Sequence, residues 1–135
     1  MKIVKWIAII LASPFALLFL AVVLHTILNN FYLWSFSSQI FDYPLPKGVE
    51  IISKSSEVGV LTGNGNHCDF VASLEVRSSV PIENIKSHYS NMTIQPATTG
   101  SSTEQGLSVE LISPSVVKIE IWDAPGWSGF DFRCT

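Results

Sequence analysis

The chain reads as an α+β membrane protein: an N-terminal transmembrane helix, then a small antiparallel sheet of about five strands with one helix packed on it. Three observations predict this. Trp6 to Leu28 carries no charged side chain, and only Ser13, His25 and Thr26 interrupt its apolar character. From Val49 onward the pattern changes to short runs in which apolar and polar residues alternate, the period of a half-buried strand. Ile82, Ile85, Tyr89 and Met92 fall at i, i+3, i+7 and i+10, which is one helical stripe.

The apolar run comes first. At about 1.5 Å per residue, Ile7 to Leu28 spans roughly 33 Å as a helix, enough to cross a hydrocarbon core of about 30 Å. Lys2 and Lys5 precede it, and no basic residue follows until Lys47. The positive-inside bias therefore leaves the N-terminus in the cytoplasm and the C-terminal domain extracytoplasmic. The run is longer than the roughly 7–15 apolar residues of a secretory signal, so an uncleaved signal-anchor is expected. The competing outcome is cleavage before Ser38, after the small-x-small pair Ser35 and Ser37. No cysteine lies near the run, which excludes a lipidated anchor at its end. Within the span, Ser13 can help satisfy the carbonyl that Pro14 frees, and His25 reads as a neutral interfacial imidazole. Phe31, Tyr32, Trp34 and Phe36 then form an aromatic belt at headgroup level, or alternatively a docking face for a partner helix. Residues 1–36 are expected to be signal-anchor and aromatic interface, 37–48 a linker and 49–135 the exported domain. The linker is stiffened by Pro44 and Pro46 and ends at Gly48.

With 135 residues in all, about 95 remain for the exported part, the size of one small domain. From Gln39 onward eleven Asp and Glu stand against six Lys and Arg. Phosphate neutralisation needs clustered bases, so no nucleic-acid partner is expected, nor adhesion of the domain to anionic lipid by charge.

Val49–Ser53 and Val58–Thr62 read as two short strands. Asn64-Gly65 follows the second, and Asn-Gly between apolar runs is a strong hairpin signal. In the next strand Cys68, Phe70, Ala72, Leu74 and Val76 share one face, with Asp69, Ser73, Glu75 and Arg77 on the other. Pro81 opens the helix, with Glu83 near its positive end. Thr93–Gly106, rich in Ser, Thr and Gly, reads as a surface loop. Leu107, Val109 and Leu111, then Val117, Ile119 and Ile121, alternate with polar residues across a turn at Ser113-Pro114-Ser115. Phe130–Cys134 is expected as a final short strand.

Cys68 and Cys134 have the parity of the apolar faces of their strands, and both fall on the exported side, where disulfides persist. A Cys68–Cys134 bridge is expected; two buried free thiols are the alternative. That bridge removes the thiolate that Cys68, beside His67, would need to act as a nucleophile. Gly63-Asn64-Gly65-Asn66 is no phosphate cradle, because no Gly-Lys-[Ser/Thr] follows and no helix opens behind it. His67 and Asp69, with His88 from the helix, are weak candidates for a metal site, since one His-x-Asp without a second motif specifies little. No cofactor and no catalytic residue is expected.

Tyr43-Pro44-Leu45-Pro46-Lys47-Gly48, Val58 to Phe70, and Ile85-Lys86-Ser87-His88-Tyr89 together resemble a group of small uncharacterised bacterial membrane-anchored proteins. The distinctive part is the Gly-Asn-Gly-Asn-x-Cys-Asp-Phe motif, Gly63 to Phe70. Leu-Pro-x-Gly and the Ile-x-x-x-Tyr helix are also similar to exported α+β domains of bacterial lipoproteins, from which this chain departs in lacking a lipidated cysteine. The resemblance implies compartment and fold and no reaction. Trp34, Trp122 and Trp127 form a possible interaction surface, with two readings of Trp122 open: exposed toward a partner, or covering the second face of the sheet. The function expected is a binding or structural role in the cell envelope, toward an envelope protein partner and with the bilayer held by the N-terminal helix. The alternatives are a metal-binding or enzymatic module at His67, Asp69 and His88, and an accessory subunit acting through its membrane helix.

Overall fold

The computed structural model describes residues 2–61, 68–99, 102–125 and 131–134. Helix α1 (Lys2–Phe41) leads into strands β1 (Val49–Gly59) and β2 (Asp69–Ser78), helix α2 (Ile82–Tyr89), strands β3 (Ser102–Ser113) and β4 (Val116–Pro125), and a 3-10 turn, Phe132–Cys134. The sheet is antiparallel throughout in the order β1-β2-β4-β3. β2 and β4 are central, which is why their inward residues Phe70, Ala72, Leu74, Val76, Val117, Ile119 and Ile121 are all buried.

α1 is a single helix of 40 residues with two environments. Phe15, Leu17, Leu18, Phe19, Leu20, Leu24 and Ile27 stand exposed around its circumference, the pattern of a lipid-facing helix and not of a core helix. It is the one helix among the described residues long and apolar enough to cross a membrane. Past Leu28 the same helix becomes a core element: Phe36 is 1% exposed and Ile40 0%, packed with Phe70, Leu74, Ile85 and Tyr89. The helical segment therefore runs five residues beyond the expected membrane boundary at 36, through the first part of the expected linker. It ends where Lys54 Nζ donates to the Phe41 carbonyl at 3.1 Å and lies over the Phe41 ring, a cation on the negative end of the helix. Gln39 holds the 92–97 segment to α1 by exchanging two hydrogen bonds with the backbone of Gln95.

Four strands are described where about five were expected, and each difference has a physical cause. Val49–Ser53 and Val58 belong to one strand: Lys54-Ser55-Ser56-Glu57 looks like a break only because it lies at an exposed edge, and it pairs in register with Val71–Leu74. A bulge at Ile52 bends that edge. Ser102–Gly106, expected as loop, is the first half of β3. Gly106 pairs with Trp122, and a Cβ there would lie 2.2 Å from the indole, so the glycine makes room for the ring in the strand. The expected final strand is instead the 3-10 turn over Phe132–Cys134, closed by Cys134 N–H donating to the Asp131 carbonyl. The Asn64-Gly65 turn lies outside the described residues, but the hairpin it was expected to close is formed by β1 and β2.

α2 starts at Ile82, one residue after Pro81, and buries Ile85 and Tyr89. Among the described residues the Tyr89 hydroxyl, although buried, finds no hydrogen-bond partner. Burial, then the neighbouring Tyr43, pushes its pKa up to about 12. Tyr89→Phe removes this unsatisfied group at constant shape, so stability is expected to hold or rise by about 1 kcal/mol. Urea denaturation in mild detergent checks this, and a loss of about 1 kcal/mol or more would contradict it.

Candidate functional site

Two places draw chemistry together. The first is where the C-terminal turn meets α1. Cys68 and Cys134 form the expected disulfide, with Cα atoms 4.9 Å apart, although the 3-10 turn and not strand parity directs Cys134 inward, since Phe132, of the same parity, is exposed. Beside it, Asp131 is fully buried and Asn29 nearly so. Asn29 Nδ2 donates to Asp131 Oδ2 at 3.0 Å and to Cys68 Sγ at 3.3 Å. Arg133 clasps the same carboxylate through Nε to Oδ1 at 3.0 Å and Nη2 to Oδ2 at 2.7 Å, while its backbone N–H also donates to Oδ1. Its remaining donors reach α1, at Asn30 Oδ1 (2.8 Å) and the Thr26 carbonyl (3.4 Å). A buried carboxylate is tolerable here because Asn29 and Arg133 together donate to both of its oxygens. Neither Asn29 nor Asp131 was expected as a site residue. The signal was present in Asn29-Asn30 closing an apolar run, but its partner lies about 100 residues away.

Hydrogen bonds from the Arg133 side chain hold the Asp131 carboxyl down at about 2, against burial, with the Arg133 N–H and Asn29 adding to them. An unfolded Asp titrates near 3.9, so this carboxylate contributes stability that is present above about pH 4 and is lost as pH falls through about 2. The loss amounts to about 2 kcal/mol. Asp131→Asn is expected to flatten that acid limb. Urea midpoints of the two proteins measured between pH 5 and 2 check it, and parallel curves would sink the idea.

Cys68, Asp131 and Cys134 are also the three ligand-type groups that come within 4.8 Å of one another among the described residues. With both sulfurs in the disulfide neither is a thiolate, and the carboxylate is already shared by Arg133 and Asn29, so the oxidised cluster does not offer a metal its ligands. The metal candidates from sequence have separate partners. Asp69, which the alternation placed outward, is buried and accepts the Leu61 N–H at 2.9 Å, closing the end of the hairpin. His88 Nε2 donates to the Pro44 carbonyl at 2.7 Å, and its ring stands edge-on to Tyr43 and Tyr89. These two sites lie toward opposite ends of the docked part of α1. His67 lies outside the described residues.

The second place is the face of the sheet turned away from α1 and α2. Trp122 is half-buried there, flat on Gly106, which places it between the two readings the sequence left open. A shallow groove of about 530 Å³ runs beside it, lined by Val71, Trp122, Glu57, Glu110 and Glu120, with Leu61 only at its end nearest the 3-10 turn. Lys118 forms an ion pair with Glu120, leaving the border net acidic. Trp34 is 66% exposed on α1, 5.9 Å from Phe31, and Trp127 lies outside the described residues. Comparison with family models, with curated proteins and with solved structures gives no match.

Proposed function

We propose that this is a single-pass envelope protein, N-terminus in the cytoplasm, that presents its disulfide-bonded domain outside the membrane to bind a protein partner there. The observation that carries this reading is the continuity of α1: a lipid-exposed helix becomes, without a break, the helix that buries Phe36 and Ile40 in the domain. The domain is thus held at a defined height and angle, where a flexible linker would leave it free to tumble. Cleavage before Ser38 would cut inside α1 and remove Phe36 from the core, which favours an uncleaved anchor. The oxidised Cys68–Cys134 pair supports an extracytoplasmic domain. The binding face is the acidic groove around Trp122, whose charge fits a cationic segment of the partner.

The test compares two changes on proteins recovered from gently solubilised membranes. Exchanging residues 7–28 for an unrelated apolar helix is expected to leave the partner bound. Glu57→Lys with Glu110→Lys is expected to release it. The opposite pattern would make the membrane helix the working part. Protease added to spheroplasts, from which any outer membrane has been removed, is expected to digest the domain, and protection of the domain there would reverse the orientation.

A further inference from the structure

The folded domain has two ends, and its register against α1 says which of them meets the membrane. Lys54 is bonded to Phe41 at the far end of α1, while Arg133 is bonded to Thr26 and Asn30 near the apolar span. Between these ties α1 rises about 17 Å from Asn30 to Phe41. β1 covers about 17 Å in the opposite direction from Lys54 to Gly59. The two lengths agree, so β1 runs down toward the bilayer. At its lower end the Val60 N–H donates to the Arg133 carbonyl at 3.2 Å.

A helix crossing about 30 Å of hydrocarbon from Ile7 reaches the far boundary at about Thr26, with a headgroup layer of roughly 5–7 Å above it. Arg133 contacts Thr26 and Asn30 directly, so the 3-10 turn stands at that boundary. The turn carries Phe132, 68% exposed, and the adjoining end of β1 carries Val60 and Leu61, 41% and 38% exposed. Apolar side chains at the base of an otherwise acidic domain would be poorly placed in water. Here they continue the apolar surface of α1, and the charges beside them, Asp131 and Arg133, neutralise each other.

We propose that the base of the domain is a second lipid-contacting element, in which Phe132, Val60 and Leu61 enter the acyl–headgroup boundary beside α1. The occupant of this surface is the bilayer itself. The proposal rests on the membrane span assigned above and goes beyond it, because the domain would lie on the membrane as well as being tethered to it. It is independent of which side of the membrane the domain occupies.

Photo-crosslinking in the full chain tests it. Phe132, Leu61, Leu24 and Leu111 are replaced one at a time by benzoylphenylalanine, and each protein is reconstituted in phosphatidylcholine vesicles. Retention of the Cys68–Cys134 bridge, checked by mass, reports folding. Leu24 marks the span, and Leu111 is exposed at the opposite end of the sheet. Lipid adducts are expected at positions 24, 132 and 61, with at least about fivefold more at 132 than at 111. Adducts at 24 with none at 132 and 61 would overturn the proposal and leave the span intact. No adduct at 24 would overturn the span and the proposal with it, and equal labelling at 111 would overturn the proposal alone.

Discussion

Reducing the Cys68–Cys134 bridge is expected to lower the unfolding free energy of the domain by about 4 kcal/mol, the chain-entropy value for a loop of this length. The bridge closes 66 residues of sequence separation and joins the start of β2 to the C-terminal turn. For a small domain whose whole stability is of order 5–15 kcal/mol, that is about a quarter or more. Its loss should also loosen the Asp131–Arg133 clasp on α1, since Cys134 immediately follows Arg133 and Cys68 receives the Asn29 bond. Urea midpoints in mild detergent, with and without reductant, and for Cys68→Ser with Cys134→Ser, measure the effect. Agreement between the reduced and the double-serine protein is expected, and a shift below about 1 kcal/mol in both would show that the fold does not depend on the bridge.

The second large effect is expected at Phe36. Truncation to alanine should destabilise the domain by about 3–5 kcal/mol, through lost burial and the cavity left against Phe70. The two rings lie 6.4 Å apart, edge to face, where α1 crosses β2. Trp34, two residues earlier and directed outward, serves as the comparison. Its replacement by alanine should change stability by no more than about 0.5 kcal/mol. Measured side by side, the pair tells an aromatic membrane belt from a core helix. Equal effects at both positions would mean that α1 does not belong to the domain. The expected asymmetry would fix the domain to its anchor and exclude a freely swinging linker before Phe36.

Much of this molecule was legible because local rules decide it. The absence of charge over a bilayer's thickness specifies the membrane helix, alternation specifies β2 and β4, and inward parity placed Cys68 toward its partner. Of the 3.6-residue stripe of Ile82, Ile85, Tyr89 and Met92, the first three lie in α2, with Ile85 and Tyr89 buried and Ile82 partly so, while Met92 falls three residues past the end of the helix and packs partly buried against the same core. Where the local signal misled, a non-local contact was in control. Aromatic residues 31–36 look like an interfacial belt, yet Asn29, Leu33, Phe36 and Ile40 recur at helical spacing toward the sheet. Gly106 looks like a loop until Trp122 is placed over it. Lys54–Glu57 looks like a gap until its exposure at an edge is known.

By itself, then, the sequence determined that the chain has one apolar span, an antiparallel α+β domain and a cysteine pair disposed to join. Those are properties of charge, period and parity, each readable within a few residues. Only the tertiary structure decided that the span and the domain share one unbroken helix and that Asp131 is clasped between Asn29 and Arg133. It alone decided that the last residues turn back onto α1 instead of adding a strand. The reason is physical: a buried carboxylate is stable only where distant donors converge on it, and no local pattern announces where residues about 100 positions apart will meet.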